Sequence, residues 1–319
     1  MPVALVCMSH SPLLRFAEPP AEVRAAVDDA FGRVREFVAD YDPTLVVSFA
    51  PDHYNGFFYE LMPPFCVGYE AESVGDYGTQ LATLDVATDV AERLAAHVMG
   101  HDIDMAISRR MRVDHGAVQP LEVLFGGITA KRVVPVFVNG VARPFTSMRR
   151  IGQMGAAVGD FVRGLDERVL VIGSGGLSHD PPVPQWATAN PAQREMLLSL
   201  TEPTNEARRA REQRVIDAAK RFAAGEADIM DLNPSWDEAF MDLLASGQLE
   251  KIDGYQPAEM AAEAGNSAHE VRTWVAAFNA LAASGPYEVI DRFYRPIPEF
   301  IAGFGVMTAR VAGVETCPR

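Results

Sequence analysis

Cysteine is scarce in this chain of 319 residues, and what there is forms no pattern. Cys7, Cys66 and Cys317 are odd in number and widely separated, and no CxxC occurs, so a disulfide framework is excluded. Basic residues are also in deficit, with 28 Lys and Arg against 43 Asp and Glu, a net charge of −15 and a pI near 4.9. That field argues against nucleic acid or an anionic membrane as the main partner. It also repels anionic small molecules, so a carboxylated ligand would need a local Arg or Lys. No uncharged apolar run is long enough to span a bilayer. The first strand begins at Val3 with no basic segment before it, which predicts no signal peptide and a cytoplasmic protein. Internal repeats and low-complexity tracts are absent too.

What is present is an ordinary globular composition, 48% hydrophobic and 22% charged, in a chain long enough to bury a full core. The apolar run Leu45-Val46-Val47-Ser48-Phe49-Ala50 reads as a buried strand stopped by Pro51, with Asp52, His53 and an Asn55-Gly56 turn just beyond. Residues 3–8 repeat the design and stop at Ser9-His10-Ser11-Pro12. Between them, residues 21–39 carry one apolar stripe (Val23, Val27, Phe31, Val34, Val38), so the unit is strand, helix, strand with a right-handed crossover. Further strands are predicted at 133–138 and 169–172, and helices at 86–99, 118–125 (Pro120 in its first turn) and 149–165. Residues 57–78, rich in aromatics, Pro and Gly, read as a long ordered loop or a β-excursion. After Pro184 the pattern turns helical, and the tail around Phe293-Tyr294-Arg295-Pro296 is expected to fold back on the body. The expected fold is α/β: one domain over 1–319 with a central, mostly parallel or mixed sheet from 1–184, flanked by helices and covered by a helical C-terminal layer from 185–319.

The chemistry gathers on histidines. His10, His53 and His179 each follow an apolar strand run, and His115 a weaker one. In open α/β sheets ligands bind just outside the carboxyl ends of the strands, so four histidines at such exits would meet on one side. Taken singly, each reads as a loop residue held by hydrogen bonds, and it is the repetition that points to a site. Asp52, Asp114 and Asp180 could orient the rings or act as turn residues. His97 and His101 have ligand spacing, but Gly100 between them is expected to end the helix and leave both as exposed helix-end residues. Ser267-x-x-Glu270, ahead of a strongly amphipathic helix, matches a capping box in which Glu270 reaches back to the Ser267 amide. Gly173-Ser174-Gly175-Gly176 lacks the phosphate-loop pattern, and its glycines are expected to give the backbone room beside a ligand. A serine hydrolase using Ser174 or Ser178 with His179 competes, although no GxSxG elbow occurs.

Ser9-His10-Ser11-Pro12, Ala50-Pro51-Asp52-His53-Tyr54-Asn55-Gly56, Asp114-His115-Gly116 and Gly173-Ser174-Gly175-Gly176-Leu177-Ser178-His179 together resemble the class III extradiol catechol dioxygenases, over essentially the whole chain. The resemblance implies a mononuclear non-haem Fe(II) held by His10, His53 and Glu270. It further implies an acid–base pair, His179 as base and His115 as proton donor, acting on a substituted catechol and O₂ in a homo-oligomer. Histidines and one carboxylate that leave open positions suit non-haem Fe(II) oxygenases. A metal-dependent or serine hydrolase on the same sheet, or a binding protein without metal, are the alternatives. Which Arg or Lys faces the ring substituent is not legible in the sequence.

Overall fold

In the computed structural model, which describes residues 3–198 and 204–313, ten strands and nine α-helices are laid down in chain order. The strands are β1 (Val3–Met8), β2 (Leu45–Ala50), β3 (Phe65–Gly68), β4 (Ala71–Ser73), β5 (Ala106–Ser108), β6 (Met111–Val113), β7 (Val133–Val138), β8 (Val169–Ser174), β9 (Tyr287–Ile297) and β10 (Ala302–Val311). The helices are α1 (Ala21–Tyr41), α2 (Thr88–Gly100), α3 (His115–Phe125), α4 (Met148–Arg163), α5 (Pro191–Leu198), α6 (Asn205–Ala223), α7 (Pro234–Ala245), α8 (Pro257–Ala264) and α9 (Arg272–Ser284). Eight strands form one mixed sheet in the order β5-β3-β7-β2-β8-β1-β10-β9, while β4 and β6 make a separate parallel pair. The central strands β7, β2, β8 and β1 are parallel, and antiparallel pairing enters where β3 meets β7 and β10 meets β1.

The strand period of two sorts the side chains into two cores. Val3, Leu5 and Cys7 of β1 join Val47 and Phe49 of β2 in the core built with α2, α4, α7 and α9. Ala4, Val6 and Met8 point the other way, into the core built with α1, α3 and α6. A sheet buried on both faces explains why its central strands read as unbroken apolar runs rather than alternating ones.

Two elements differ from their sequence-based expectation, and a third, left open between two descriptions, is decided. The tail is an antiparallel ribbon of the main sheet: β10 lies against β1, and β9 forms the edge. Its aromatic, Pro-containing residues obscured the period, because β9 is a half-exposed edge strand where Pro296 is tolerated. Residues 57–78 hold β3 and β4, so the β-excursion is the correct description there. Helix α3 starts at His115, capped by the Asp114 carboxylate accepting from the Gly116 amide, which leaves Pro120 inside the helix rather than in its first turn. Among the described residues no helix is long and apolar enough to cross a membrane. Cys7 and Cys66 are free and buried, and Cys317 lies outside the described residues.

Helix α9 is the element that carries the C-terminal half onto the sheet. Its Trp274, Val275, Phe278 and Leu281 are buried, and α4 comes against it at backbone distance. A Cβ on Gly155 would stand 2.2 Å from the Ala276 carbonyl oxygen, and one on Gly159 2.1 Å from that of Ala280. Thr273 Oγ1 donates to the Ser174 carbonyl and Trp274 Nε1 to that of Gly175, so the start of α9 is pinned to the end of β8.

Candidate active site

The exits of β1, β2 and β8 deliver His10, His53 and His179 to one cavity, beyond the carboxyl ends of these parallel strands. His115 reaches the same cavity by a different route. It is the first residue of α3, at the end of the small β4–β6 pair and not of the main sheet, so three of the four histidines leave strands of one sheet. Rings of His10 and His53 lie 5.3 Å apart edge to face, and those of His53 and His115 stack at 4.5 Å.

Glu270 completes the group from more than 90 residues away in sequence. It lies in a short 3-10 turn (Ala268–Val271) just before α9, is almost fully buried, and turns its carboxylate into the cavity. Its oxygens come within 3.3 Å of His10 Nε2, 3.1 Å of His53 Nε2 and 3.2 Å of His179 Nε2. The Gly176 amide donates to the second oxygen at 3.2 Å. The capping-box expectation is therefore overturned: Ser267 makes no side-chain cap, and Glu270 faces the histidines instead. The pinning of α9 to β8 fixes this outcome, and a Cβ on Gly175 would come within 2.4 Å of the Glu270 carbonyl oxygen. The glycines after β8 thus make room for the glutamate turn, as well as for the His179 ring beside Gly176.

Each imidazole is oriented by what holds its Nδ1. His53 Nδ1–H donates to Asp114 Oδ2 at 3.0 Å, His115 Nδ1–H to Asp76 Oδ2 at 2.6 Å, and His179 Nδ1–H to the Leu177 carbonyl at 2.9 Å. His10 Nδ1 lies 3.0 Å from Ser174 Oγ. Here Pro120 matters. Lacking an N–H, it cannot bond the Gly116 carbonyl four residues back, and Ser174 Oγ–H donates to that carbonyl instead. With the serine hydrogen committed, its oxygen can only accept, so Nδ1 of His10 carries the proton. Four Nε2 atoms are then left to face inward, three of them against one carboxylate.

Lone pairs and a carboxylate in contact repel unless a cation or extra protons sit between them. Burial, partly offset by Glu270, pushes the His10 pKa down to about 3, which keeps that ring neutral. Burial acts the same way on His53 but is outweighed by Asp114 and Glu270, which raise its pKa well above the ordinary value. Glu270 would be raised by burial, yet the imidazoles of His179 and His10 hold it well below the carboxylate range. Two imidazoles whose Nδ1–H groups are committed elsewhere, and a carboxylate with a fixed outer partner, make a donor set that fits a divalent cation, whose binding takes the place of a proton on His53.

The aspartates resolve one by one. Asp114 is the orienting group: besides His53 Nδ1 it accepts from the His53 amide and Asn55 Nδ2. Asp52 is a turn residue, accepting from the amides of Asn55, Gly56 and Phe57. Asp180 ties down Asn266. Asp76, which orients His115, went unnoticed in the sequence. Its only signal was a turn-like Gly75-Asp76-Tyr77-Gly78 far from the histidine.

The serine-hydrolase arrangement does not form. Ser174 Oγ serves His10, and Ser178 Oγ–H donates to buried Asp237, so neither hydroxyl addresses the His179 ring. Helix α2 ends at Gly100 as expected, yet His97 and His101 share a side, because the C-cap His101 keeps its Nδ1 2.9 Å from the His97 carbonyl oxygen. Their rings are 4.4 Å apart, and their Nε2 atoms lie 3.3 and 3.8 Å from Asp160 Oδ2. This group belongs to α2 and α4, apart from the cavity.

A family model described as the catalytic LigB subunit of aromatic ring-opening dioxygenase matches residues 4–305. The chain is 62% identical over 314 residues, 98% of it and 99% of the relative, to the 2,3-dihydroxyphenylpropionate/2,3-dihydroxicinnamic acid 1,2-dioxygenase of Rhodococcus rhodochrous. It is 57% identical to the protein of that name from Rhodococcus globerulus, over 97% of this chain and 98% of that one. For the Mycolicibacterium gilvum protein of that name the identity is 55%, over 96% and 98%. With its cavity of inward-facing imidazoles around one carboxylate and a family match over nearly its whole length, the chain belongs to the LigB family of aromatic ring-opening dioxygenases.

Proposed function

We propose that the protein opens the ring of 2,3-dihydroxyphenylpropionate, and of 2,3-dihydroxycinnamate, by extradiol cleavage with O₂, using Fe(II) held by His10, His53 and Glu270. The observation that carries the reading is the convergence of His10 Nε2, His53 Nε2 and the Glu270 carboxylate, their outer atoms already committed to Ser174, Asp114 and Gly176. The names of the relatives supply the substrate. Fe(II) in that seat supplies a chelating centre for the two hydroxyls and an electron path to O₂.

The chain's own groups then do the proton work. His179 keeps its Nδ1–H on the Leu177 carbonyl, so its Nε2 lone pair is the basic atom that takes a hydroxyl proton from the catechol. His115 has its Nδ1–H on buried Asp76, which fixes the ring with Nε2 turned to the cavity. Its Nε2 is therefore placed to hand a proton to the opening ring. Pro181, Pro182, Val183 and Phe300 give the cavity an apolar lining against which a ring can pack.

Anaerobically reconstituted protein mixed with 2,3-dihydroxyphenylpropionate in air should give a coloured ring-opened product with one O₂ consumed per catechol. Zinc-loaded protein should be inactive. Turnover of a hydrolysable ester by the zinc form with no O₂ uptake by the Fe(II) form would favour a hydrolase. A second test addresses the Pro120–Gly116–Ser174 chain. Ser174→Ala removes the acceptor that fixes His10, and divalent-metal affinity should fall about 10- to 100-fold. Competition with a chromophoric chelator measures it, and an unchanged affinity would show that His10 needs no such support.

A further inference from the structure

The cavity encloses about 780 Å³, part of it open to solvent, and Arg211 is the one Lys or Arg among the described residues that line it. Its acidic counterpart on the lining, Glu270, is fully taken up by the histidines. Arg211 projects from α6, a helix that the metal-ligand motifs do not include, and its guanidinium is fixed from the opposite wall. Nη1 donates to the Tyr54 carbonyl at 3.2 Å and Nη2 to Asn55 Oδ1. Tyr54 and Asn55 directly follow His53, and Asn55 Nδ2 bonds Asp114, the carboxylate that orients His53. The cation is therefore tied to the same short turn that sets the metal-facing imidazole.

Both partners of Arg211 are neutral, and among the described residues no carboxylate forms an ion pair with it. A part-buried guanidinium with neutral partners retains an uncompensated charge, and its planar fork suits a carboxylate. The rest of the chain makes this more telling. At a net charge of −15 the overall field repels an anion, so an anionic ligand needs a local cation to enter.

We infer that Arg211 is the carboxylate-binding residue of the active-site cavity, selecting catechols whose ring substituent ends in an acid. This rests on the ring-opening function proposed above. The ring sits at the histidine end, the alkyl chain runs along the apolar wall, and the acid meets the guanidinium held by Tyr54 and Asn55. Arg211 is a specificity residue and takes no part in proton transfer.

The test compares two diols of equal chain length, 2,3-dihydroxyphenylpropionate and 3-propylcatechol, on wild type and Arg211→Met. The preference of wild type for the acid, as a ratio of kcat/KM values, should fall about 10- to 100-fold in Arg211→Met, as expected for loss of a charge-assisted hydrogen bond. The change should lie in KM, and anaerobic calorimetry should give the same factor in Kd. In wild type, the primary amide of the acid should lose affinity by a similar factor, a measurement that needs no variant to fold. An unchanged ratio in Arg211→Met with both diols still opened, or an amide bound as tightly as the acid, would overturn the role of Arg211 and leave ring opening intact. Wild type that opens neither diol would overturn both readings.

Discussion

His53→Ala protein is expected to fold, to emerge from anaerobic reconstitution without stoichiometric iron, and to show no measurable ring opening. His53 contributes the inward Nε2 that lies 3.1 Å from Glu270, and in the ligand set proposed above its loss leaves two ligands of three. Outer partners of metal ligands are worth about 10- to 100-fold in affinity, so removal of a ligand itself should cost more than about 100-fold. Metal analysis and a chelator competition would read this directly, with circular dichroism to show that the fold is retained. The substitution also strips Asp114 of a partner, but that carboxylate keeps the His53 and Gly116 amides and Asn55 as donors. Full iron content and normal turnover in His53→Ala would remove His53 from the ligand set.

His115→Ala and His179→Ala should behave in the opposite way, keeping iron while turnover falls about 10²- to 10⁴-fold, the range for loss of a positioned acid or base. The comparison is sharp because Glu270 lies as close to His179 as to the two histidines assigned as ligands. Distance alone does not separate ligand from base at this site. What separates them is the metal content of each variant. If His179→Ala loses its iron, His179 is a ligand and the proton must go elsewhere. If His115→Ala retains full turnover, the buried Asp76–His115 pair is structural. Anaerobic catechol binding followed by mixing with O₂ in a single turnover would add a second distinction, since the base should affect catechol binding and the proton donor only the steps after O₂ is added.

Much of this was legible from local pattern. The runs at Val3, Leu45, Val133 and Val169 read as buried strands because a sheet covered on both faces needs apolar side chains on both. His10, His53 and His179 read as site residues because each follows such a run directly. The resemblance to extradiol dioxygenases rested on the same motifs. Where the local signal was ambiguous, it misled. Ser267-x-x-Glu270 satisfies a capping pattern, and nothing within a few residues says that α9 is pinned against β8 by Thr273 and Trp274. Edge strand β9 hid behind Pro296, and the helical start at His115 behind Pro120.

The chain order of residues determined the four central strands β1, β2, β7 and β8 and the histidines that follow three of them, because these depend on neighbours a few positions apart. The tertiary structure alone decided that Glu270 joins them, that Asp114 and Asp76 orient rings while Asp52 and Asp180 do not, and that one arginine of α6 enters the cavity. Those are contacts between segments 39 to 260 residues apart. They are set by how the helices settle on the sheet, and no short-range periodicity encodes that.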